Sequence, residues 1–135
     1  MLRCLIVDDS LRFLDAARDL LEHEGIAVPG VASTIAQAMQ RVGRLQPDVV
    51  LVDIDLGGES GFDLARLLHS AAHPAPPSII LISTYDEQDY ADLIAASPAV
   101  GFLAKTALSA GAIRDLIGPD GAESAGNPVS GPRGR

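Results

Sequence analysis

Pairs of carboxylates follow two of the apolar runs in this sequence. Asp8 and Asp9 end the first run and precede the hydroxyl of Ser10, while Asp53 ends a later run and Asp55 lies two residues beyond it. Two carboxylates about 5 Å apart at an effective dielectric constant of about 20 repel each other by about 3 kcal/mol. If the two runs lie side by side, a cation must offset this repulsion. Clustered carboxylate oxygens suit Mg²⁺ with several retained waters, so the sequence predicts a magnesium site.

Other polar residues end two further apolar runs: Ser83 and Thr84 follow one, and Lys105 follows the other. Lys105 is the only lysine beside nine arginines, which indicates a position that needs a compact point charge, as contacts with phosphoryl oxygens do. Asp53 is then the candidate nucleophile, because a carboxylate can accept a phosphoryl group as an acyl phosphate. Ser83 would donate a hydrogen bond to one phosphoryl oxygen, while Lys105 and Mg²⁺ would balance the charge of the group.

Several of these residues also have a purely structural interpretation. Asp9 or Ser10 is suited to cap the first helix, although capping leaves the second carboxylate unexplained. Lys105 fits a solvated lysine at a strand end. His69 and His73 are four residues apart near the end of the predicted third helix, where they suit the helix dipole better than a metal ion.

The elements that must position these residues alternate between strand and helix. Apolar runs of strand length occur at residues 2–7, 26–31, 48–52, 78–82 and 100–104, of which the second is the weakest. Between them apolar residues have helical spacing: Leu14, Ala17 and Leu21; Ile35, Met39 and Val42; Leu64, Leu67 and Leu68; and Leu93 with Ile94. Apolar strands joined by helices favour a doubly wound α/β fold, a parallel sheet covered on both faces. The polar residues at the strand ends would then meet at one edge, where such sheets bind ligands.

Three further residues support the predicted boundaries of these elements. Gly25 is typical of a helix end and Ser33 of a helix N-cap, so they mark the first helix's end and the second helix's start. Pro29 lies in the second strand and cannot donate a ladder hydrogen bond, so we expect that strand at an edge of the sheet.

The composition limits the class of protein. At 135 residues, 47% of them hydrophobic and 21% charged, the chain is expected to form one packed domain. The net charge of −8 opposes direct binding to nucleic acid or to anionic lipid. The single cysteine, Cys4, lies in an apolar run and fits core packing in a reduced compartment, and no run approaches the roughly 20 apolar residues of a membrane span. These features predict a cytoplasmic location without a membrane contact.

Residues 118–135 differ from the rest of the chain. They contain five glycines, three prolines, no aromatic residue and a single valine. Such a segment cannot bury enough apolar surface to order itself. We interpret residues 1–117 as the domain and residues 118–135 as a disordered tail or a truncated linker.

The residues at the strand ends resemble the receiver domain of two-component response regulators, and the resemblance covers residues 1–117. That family has an acidic pair after the first strand, a phospho-accepting Asp after the third, a Ser or Thr after the fourth and a Lys after the fifth. Here Asp9 and Asp53 are 44 residues apart, Asp53 and Ser83 are 30 apart, and Ser83 and Lys105 are 22 apart. The resemblance implies a flavodoxin-like strand order of 2-1-3-4-5.

The resemblance also implies roles for individual residues. Asp8, Asp9, Asp53 and the backbone carbonyl of Asp55 would hold Mg²⁺. Phe102 matches the aromatic residue that turns inward when the hydroxyl of Ser83 moves toward the phosphoryl group. Gly61 matches the glycine that opens the third helix.

Residues next to the site depart from the family pattern or vary within it. Thr106 replaces a common proline after the lysine, which puts the usual cis bond there in doubt. Thr84 is bulkier than the usual small residue and would narrow access to the phosphoryl group. Asp55 and Tyr85 occupy two variable positions that influence hydrolysis, and we hypothesise that Tyr85 screens the attacking water.

The function implied is a phosphorylation-dependent switch in which a sensor histidine kinase or a phosphotransfer protein donates to Asp53. The receiver itself would catalyse the transfer and would lose the group slowly, so whether it counts as an enzyme is open. The acidic stretch 85–92 fits a helix start with solvated charge or part of a partner surface. The segment 101–117 is most similar to receivers that precede a helix-turn-helix domain in transcription regulators, and we expect either a stand-alone receiver or a cut-down regulator.

Two other functions fit parts of the sequence. The first is a receiver that is never phosphorylated and signals by surface contacts alone. The second is a small phosphatase with an aspartyl-phosphate intermediate, which the pair of Asp53 and Asp55 suggests. Such enzymes normally carry the equivalent pair on the first strand, whereas here it follows the third. The cognate kinase, the output partner and homodimer formation stay open.

Overall fold

The structure, a computed structural model, describes residues 1–71 and 75–122. Five strands form one parallel sheet: β1 (Arg3–Val7), β2 (Ala27–Ala32), β3 (Val49–Asp53), β4 (Ser78–Ser83) and β5 (Gly101–Ala104). Five helices connect or flank them: α1 (Leu11–His23), α2 (Ile35–Leu45), α3 (Gly61–Ser70), α4 (Ala91–Ala95) and α5 (Ala110–Ala122). Two short 3₁₀ helices, Glu87–Tyr90 and Lys105–Ala107, precede α4 and follow β5.

The strand order is β2-β1-β3-β4-β5, which confirms the predicted flavodoxin-like topology. β2 lies at one edge of the sheet, as Pro29 predicts. Proline has no N–H to donate to a further strand, and an edge strand has no outer neighbour that needs one. The chain first adds a strand on one side of β1 and then crosses to add β3, β4 and β5 on the other. β1 and β3 therefore lie next to each other where the winding direction reverses.

The core consists of two apolar layers, one on each face of the sheet. Alternate strand residues point to opposite faces, so Cys4 and Ile6 of β1 join one layer while Leu5 and Val7 join the other. α1 and α5 cover the first layer, and α2 and α3 cover the second, with α4 contributing the partly buried Ile94. Both faces are dry, which explains why the central strands are apolar throughout.

Helix ends follow local side-chain chemistry with one difference from expectation. Ser10 caps α1, its Oγ accepting a hydrogen bond from the backbone N–H of Phe13 at 3.2 Å. Thr34 caps α2 instead of the predicted Ser33, because Thr34 Oγ1 accepts from the N–H of Gln37 at 3.1 Å. Gln37 Oε1 in turn accepts from the N–H of Ser33, so the two hydroxyl residues share the start of the helix. Gly25, with φ of 93°, follows the end of α1 as predicted.

Two residues of the predicted helical stripes do not face the core. The side chains of Leu67 in α3 and Leu93 in α4 are 45% and 54% exposed. α4 is only five residues long. It packs the partly buried Ile94 against the second apolar layer and leaves Leu93 exposed to solvent.

The end of the domain shows a break in the backbone of α5 at Gly118, where φ is 73°. Residues 123–135 lie outside the described residues, so the interpretation of 118–135 as a tail or linker stays a prediction. His73 likewise lies outside them, whereas His69 is exposed in the last turn of α3. In the part of the chain that the structure describes, no helix is both long and apolar enough to cross a membrane.

Gly61 allows the start of α3 to pack against the end of β3. Its N–H donates to the carbonyl of Ile54 at 2.8 Å, and a Cβ atom at this position would overlap the carbonyl oxygen of Asp53. The carbonyl oxygen belongs to the backbone and the backbone also fixes the Cβ position, so a side-chain rotation cannot relieve the clash. A glycine here therefore fixes how closely the loop after β3 returns to Asp53.

We predict that Gly61→Ala lowers the free energy of unfolding by about 2 to 4 kcal/mol, because the clash forces the backbone apart. Urea denaturation measures this change. Gly43→Ala is the matched control: Gly43 is an exposed residue of α2, and a Cβ atom added there would meet no heavy atom within 4 Å, so the variant should gain about 0.5 to 1 kcal/mol. Equal stability of the Gly61→Ala variant and the wild-type protein would contradict the prediction.

Candidate functional site

The register of the parallel strands brings the predicted residues to one edge of the sheet. Val7 of β1 pairs with Val52 of β3, so the next residues, Asp8 and Asp53, emerge side by side. Ser83 ends β4 and pairs with Ala104 of β5, directly before Lys105.

Three carboxylates cluster at this edge. Asp8 is fully buried, Asp53 is 5% exposed and Asp9 is exposed, and one oxygen from each lies within 4.8 Å of the others. This spacing is close enough for a single ion to contact all three. It is also close enough that the charges repel strongly where water is excluded.

Lys105 provides the positive charge of the cluster. Its Nζ lies 2.7 Å from Oδ2 of Asp8 and 3.3 Å from Oδ2 of Asp53, and its side chain is 17% exposed. One ammonium group thus faces three carboxylates, which leaves the cluster with a net negative charge. A divalent cation would remove that excess.

The donor set fits a hard divalent cation such as Mg²⁺. Oδ1 of Asp8 accepts from the N–H of Ser10 at 2.8 Å, which orients the carboxylate. Among the residues that the structure describes, Oδ2 of Asp8 is the one buried side-chain oxygen or nitrogen without an aligned hydrogen-bond donor. Its contact with Lys105 is an ion pair that lacks the directional geometry of a hydrogen bond. Oδ2 of Asp8 is therefore a buried carboxylate oxygen whose contact is the ammonium of Lys105, and it keeps a lone pair for a cation.

The loop after β3 also shapes the cluster. Gly57 has φ of 66°, and a Cβ atom there would lie 2.6 Å from Oδ2 of Asp9. The backbone of the loop therefore approaches the carboxylate more closely than a larger residue allows. Asp55 helps to form this turn, since its Oδ1 accepts from the N–H of Gly57 at 3.0 Å. The side chain of Asp55 is exposed and is not one of the three carboxylates that meet in the cluster.

The cluster changes the acidity of its members. Burial, and next the charge of Asp8, raises the pKa of Asp53 to about 6 from its ordinary value of 3.8, although Lys105 and the N–H of Asp55 act in the opposite direction. Burial tends to lower the pKa of Lys105, but the contact with Asp8 and the charge of Asp53 outweigh it and raise this pKa. Lys105 therefore stays protonated, whereas the ionised form of Asp53 is less stable in the folded protein than in the unfolded chain.

The hydroxyl of Ser83 lies at the same edge and has a free hydrogen. Ser83 is 3% exposed, and its Oγ accepts from the N–H of Tyr85 at 3.0 Å, which leaves the O–H hydrogen to donate elsewhere. Thr84 is exposed on the loop that follows, and the side chain of Tyr85 is 61% exposed.

Phe102 lies in β5 three residues before Lys105. It is partly buried and packs against the second apolar layer, as do Tyr90 and Ile94. Within the described residues every peptide bond is trans, including the one between Lys105 and Thr106.

Phe13 is a neighbour of the site that the sequence interpretation missed. Its ring centroid lies 4.6 Å from Nζ of Lys105. The only signal in the sequence is an aromatic residue in the first turn of the helix that follows the acidic pair, and an apolar residue is common there for packing reasons alone.

We predict that Asp53→Asn stabilises the metal-free protein at neutral pH. Because the pKa of Asp53 is higher in the folded state, folded protein keeps the proton that unfolded protein loses, and stability falls as the pH rises from about 4 to about 6. Asparagine avoids this loss. The expected gain is about 2 kcal/mol in urea denaturation with a chelator at about pH 8, and it should become small at about pH 4.

Adding Mg²⁺ should narrow the difference, because the cation offsets the repulsion between Asp53 and Asp8, which only the wild-type protein has. Asp15→Asn, at an exposed position of α1, serves as the control and should change stability by less than about 0.5 kcal/mol. A metal-free Asp53→Asn variant less stable than the wild-type protein would contradict the prediction.

Comparisons with known proteins agree on one family. The sequence profile of the response regulator receiver domain matches residues 4–117. The sensory transduction protein LytT of Bacillus subtilis is 36% identical over 88 residues, 64% of this chain and 36% of LytT. The DNA-binding transcriptional activator EvgA of Escherichia coli is 29% identical over 104 residues, 77% of this chain and 50% of EvgA.

The chain therefore spans about a third to a half of the length of these curated relatives. Among solved structures, a response regulator from Burkholderia pseudomallei with a phosphorylated aspartic acid, a calcium ion and citrate has a TM-score of 0.73 and 25% identity. The match covers 93% of this chain and 71% of that one. With the strand order and the acidic cluster described above, these matches show that the chain belongs to the family of response regulator receiver domains.

Proposed function

We propose that this receiver domain accepts a phosphoryl group on Asp53 and acts as a phosphorylation-dependent switch of a two-component system. The observation that carries the proposal is the contact of 3.3 Å between the ammonium of Lys105 and the carboxylate of Asp53, within a cluster able to hold a divalent cation. A sensor histidine kinase or a phosphotransfer protein is the proposed donor.

In the transfer, a carboxylate oxygen of Asp53 forms the new P–O bond while the P–N bond of the donor's phosphohistidine breaks. The imidazole leaves as the neutral ring once it has taken up a proton from water. Most of the barrier reduction would come from the placement of charge around the phosphoryl oxygens. The receiver would thus catalyse its own phosphorylation and lose the group slowly to water.

Each residue of the site has a proposed part in this reaction. Asp8, Asp9 and Asp53, with the backbone carbonyl of Asp55, would hold Mg²⁺, which supplies charge neutralisation for the phosphoryl oxygens when it is bound. The ammonium of Lys105 would stabilise one phosphoryl oxygen at short range.

Ser83 and Phe102 are the proposed switch residues. Ser83 has a hydroxyl hydrogen to donate to a phosphoryl oxygen, and the movement of this hydroxyl would leave space into which Phe102 turns. Phe102 packs against the same apolar layer as Tyr90 and Ile94, so its movement would alter the surface around α4 and β5. We propose that surface as the part that a partner reads.

The output of the signal is proposed from the relatives. EvgA is a DNA-binding transcriptional activator, and we propose a role in transcription regulation in a larger assembly, with no direct nucleic-acid contact by this acidic domain. A cytoplasmic location is proposed because the sequence has a single cysteine, the free and buried Cys4, and so has no internal disulfide of the kind common in oxidising compartments.

We predict that the protein gains the mass of one phosphoryl group when it is incubated with Mg²⁺ and a small phosphodonor such as acetyl phosphate. Intact-mass measurement detects the adduct, which should be absent from Asp53→Asn and from a sample with excess chelator. Asp55→Asn is the matched control, since it removes a neighbouring carboxylate and keeps the backbone carbonyl. A wild-type protein that stays unmodified, or an adduct that persists in Asp53→Asn, would contradict the proposal.

We also predict that Tyr85→Ala shortens the lifetime of the phosphorylated state several-fold, because Tyr85 follows Ser83 by two residues and would screen the attacking water. The decay of the adduct after removal of the phosphodonor measures this lifetime. Leu67→Ala, which removes an exposed side chain of α3, should decay at the wild-type rate. Equal decay rates for Tyr85→Ala and the wild-type protein would rule out the screening role.

A further inference from the structure

The ammonium of Lys105 touches three groups, of which only two are carboxylates. Oδ2 of Asp8 and Oδ2 of Asp53 lie 2.7 and 3.3 Å from Nζ, and the ring centroid of Phe13 lies 4.6 Å away. A distance below about 6 Å places the cation within reach of the negative face of an aromatic ring. Because the side chain of Lys105 is only 17% exposed, water competes weakly with this contact.

We propose that Phe13 is a positioning residue for Lys105: its ring confines the ammonium to the side of Asp8 and Asp53. A lysine side chain has four rotatable carbon–carbon bonds, and two acceptors on one side leave it free to swing toward solvent. An aromatic face provides a third, less directional contact that restricts this swing. It does so without adding a charge to the cluster and without competing with the carboxylates for a cation.

The segment between β1 and α1 fixes the ring and the acidic pair together. The N–H of Ser10 donates to Oδ1 of Asp8 at 2.8 Å, and Oγ of Ser10 accepts from the N–H of Phe13 at 3.2 Å. Ser10 thus joins the carboxylate of Asp8 to the backbone of Phe13 by two hydrogen bonds. The ring itself is partly buried against the apolar layer under α1 and α5, which limits its rotation. The same short segment therefore supplies a negative and an aromatic contact to one distant ammonium.

This proposal deepens the proposed function, because the ammonium that Phe13 confines is the one assigned to the phosphoryl group. Its test must separate a contact with Lys105 from simple core packing by Phe13. Lys105 is the only lysine of the chain, so selective ¹⁵N and ¹³C labelling of lysine gives NMR signals from this one side chain. The ring current of Phe13 should shift the signals of the terminal methylene and ammonium groups of Lys105.

Phe13→Leu should move these signals toward the values of a free lysine, and Phe13→Tyr should restore them, because tyrosine keeps the aromatic face. Phe62→Leu is the matched control: it removes a ring of the same size from the opposite apolar layer and should leave the lysine signals in place. Signals that stay unchanged in Phe13→Leu would overturn the proposal.

The rate of phosphorylation by acetyl phosphate provides the second measurement. Phe13→Leu should react about fivefold more slowly at saturating phosphodonor, and Phe13→Tyr should react at close to the wild-type rate. A rate in Phe13→Leu equal to that of the wild-type protein, or an equal fall in Phe62→Leu, would overturn the positioning role.

Failure of the proposed function gives a different result. In that case no variant, and not the wild-type protein either, would form the adduct. The lysine signals would still show whether the ring of Phe13 holds the ammonium, because that measurement needs no phosphodonor.

Discussion

Three carboxylates and one ammonium meet at the carboxyl edge of the sheet, and their charges do not cancel. Asp8 and Asp53 are buried, so the repulsion between them is screened less than that between surface acids. Lys105 contacts both but neutralises only one charge. The pKa of Asp53 is raised first by burial and next by the charge of Asp8, and Lys105 only partly opposes this rise. The other features at this edge of the sheet either bring the three carboxylates together or reduce the repulsion between them.

The backbone produces the cluster through the strand register and through the loop after β3, which approaches the cluster closely at Gly57 and at Gly61. Pairing of Val7 with Val52 sets Asp8 beside Asp53, and a shift of one residue would turn one of the carboxylates to the other face. Gly61 then allows the chain to return against the end of β3. The energy that holds the charges together therefore comes from the two apolar layers beneath, since those layers fix the strands whatever the charge at their ends.

The sequence contained most of this arrangement because the deciding features are local. Apolar runs that stop at acids mark the strand ends, and parallel topology brings those ends together, so Asp8, Asp53 and Lys105 could be assigned to one edge. Features that depend on the direction of a side chain could not be predicted from the sequence. Ser33 and Thr34 are adjacent hydroxyls, and the choice of N-cap rests on which hydroxyl meets the N–H of Gln37. Phe13 looks like any apolar helix residue until the fold brings the ammonium of Lys105 over its ring.

Under the proposed function, the contacts of Lys105 decide what phosphorylation can change. The ammonium already has three partners in the unphosphorylated site, so a phosphoryl oxygen must take the place of one of them. Asp53 is the partner that gives way, because phosphorylation converts its carboxylate into an acyl phosphate, a mixed anhydride whose carboxyl oxygens no longer carry the negative charge. Asp8 and the ring of Phe13 would keep their contacts and limit the movement of the ammonium to a short displacement. In the proposed switch, the ammonium of Lys105 would therefore keep two of its contacts in both states and exchange only the third.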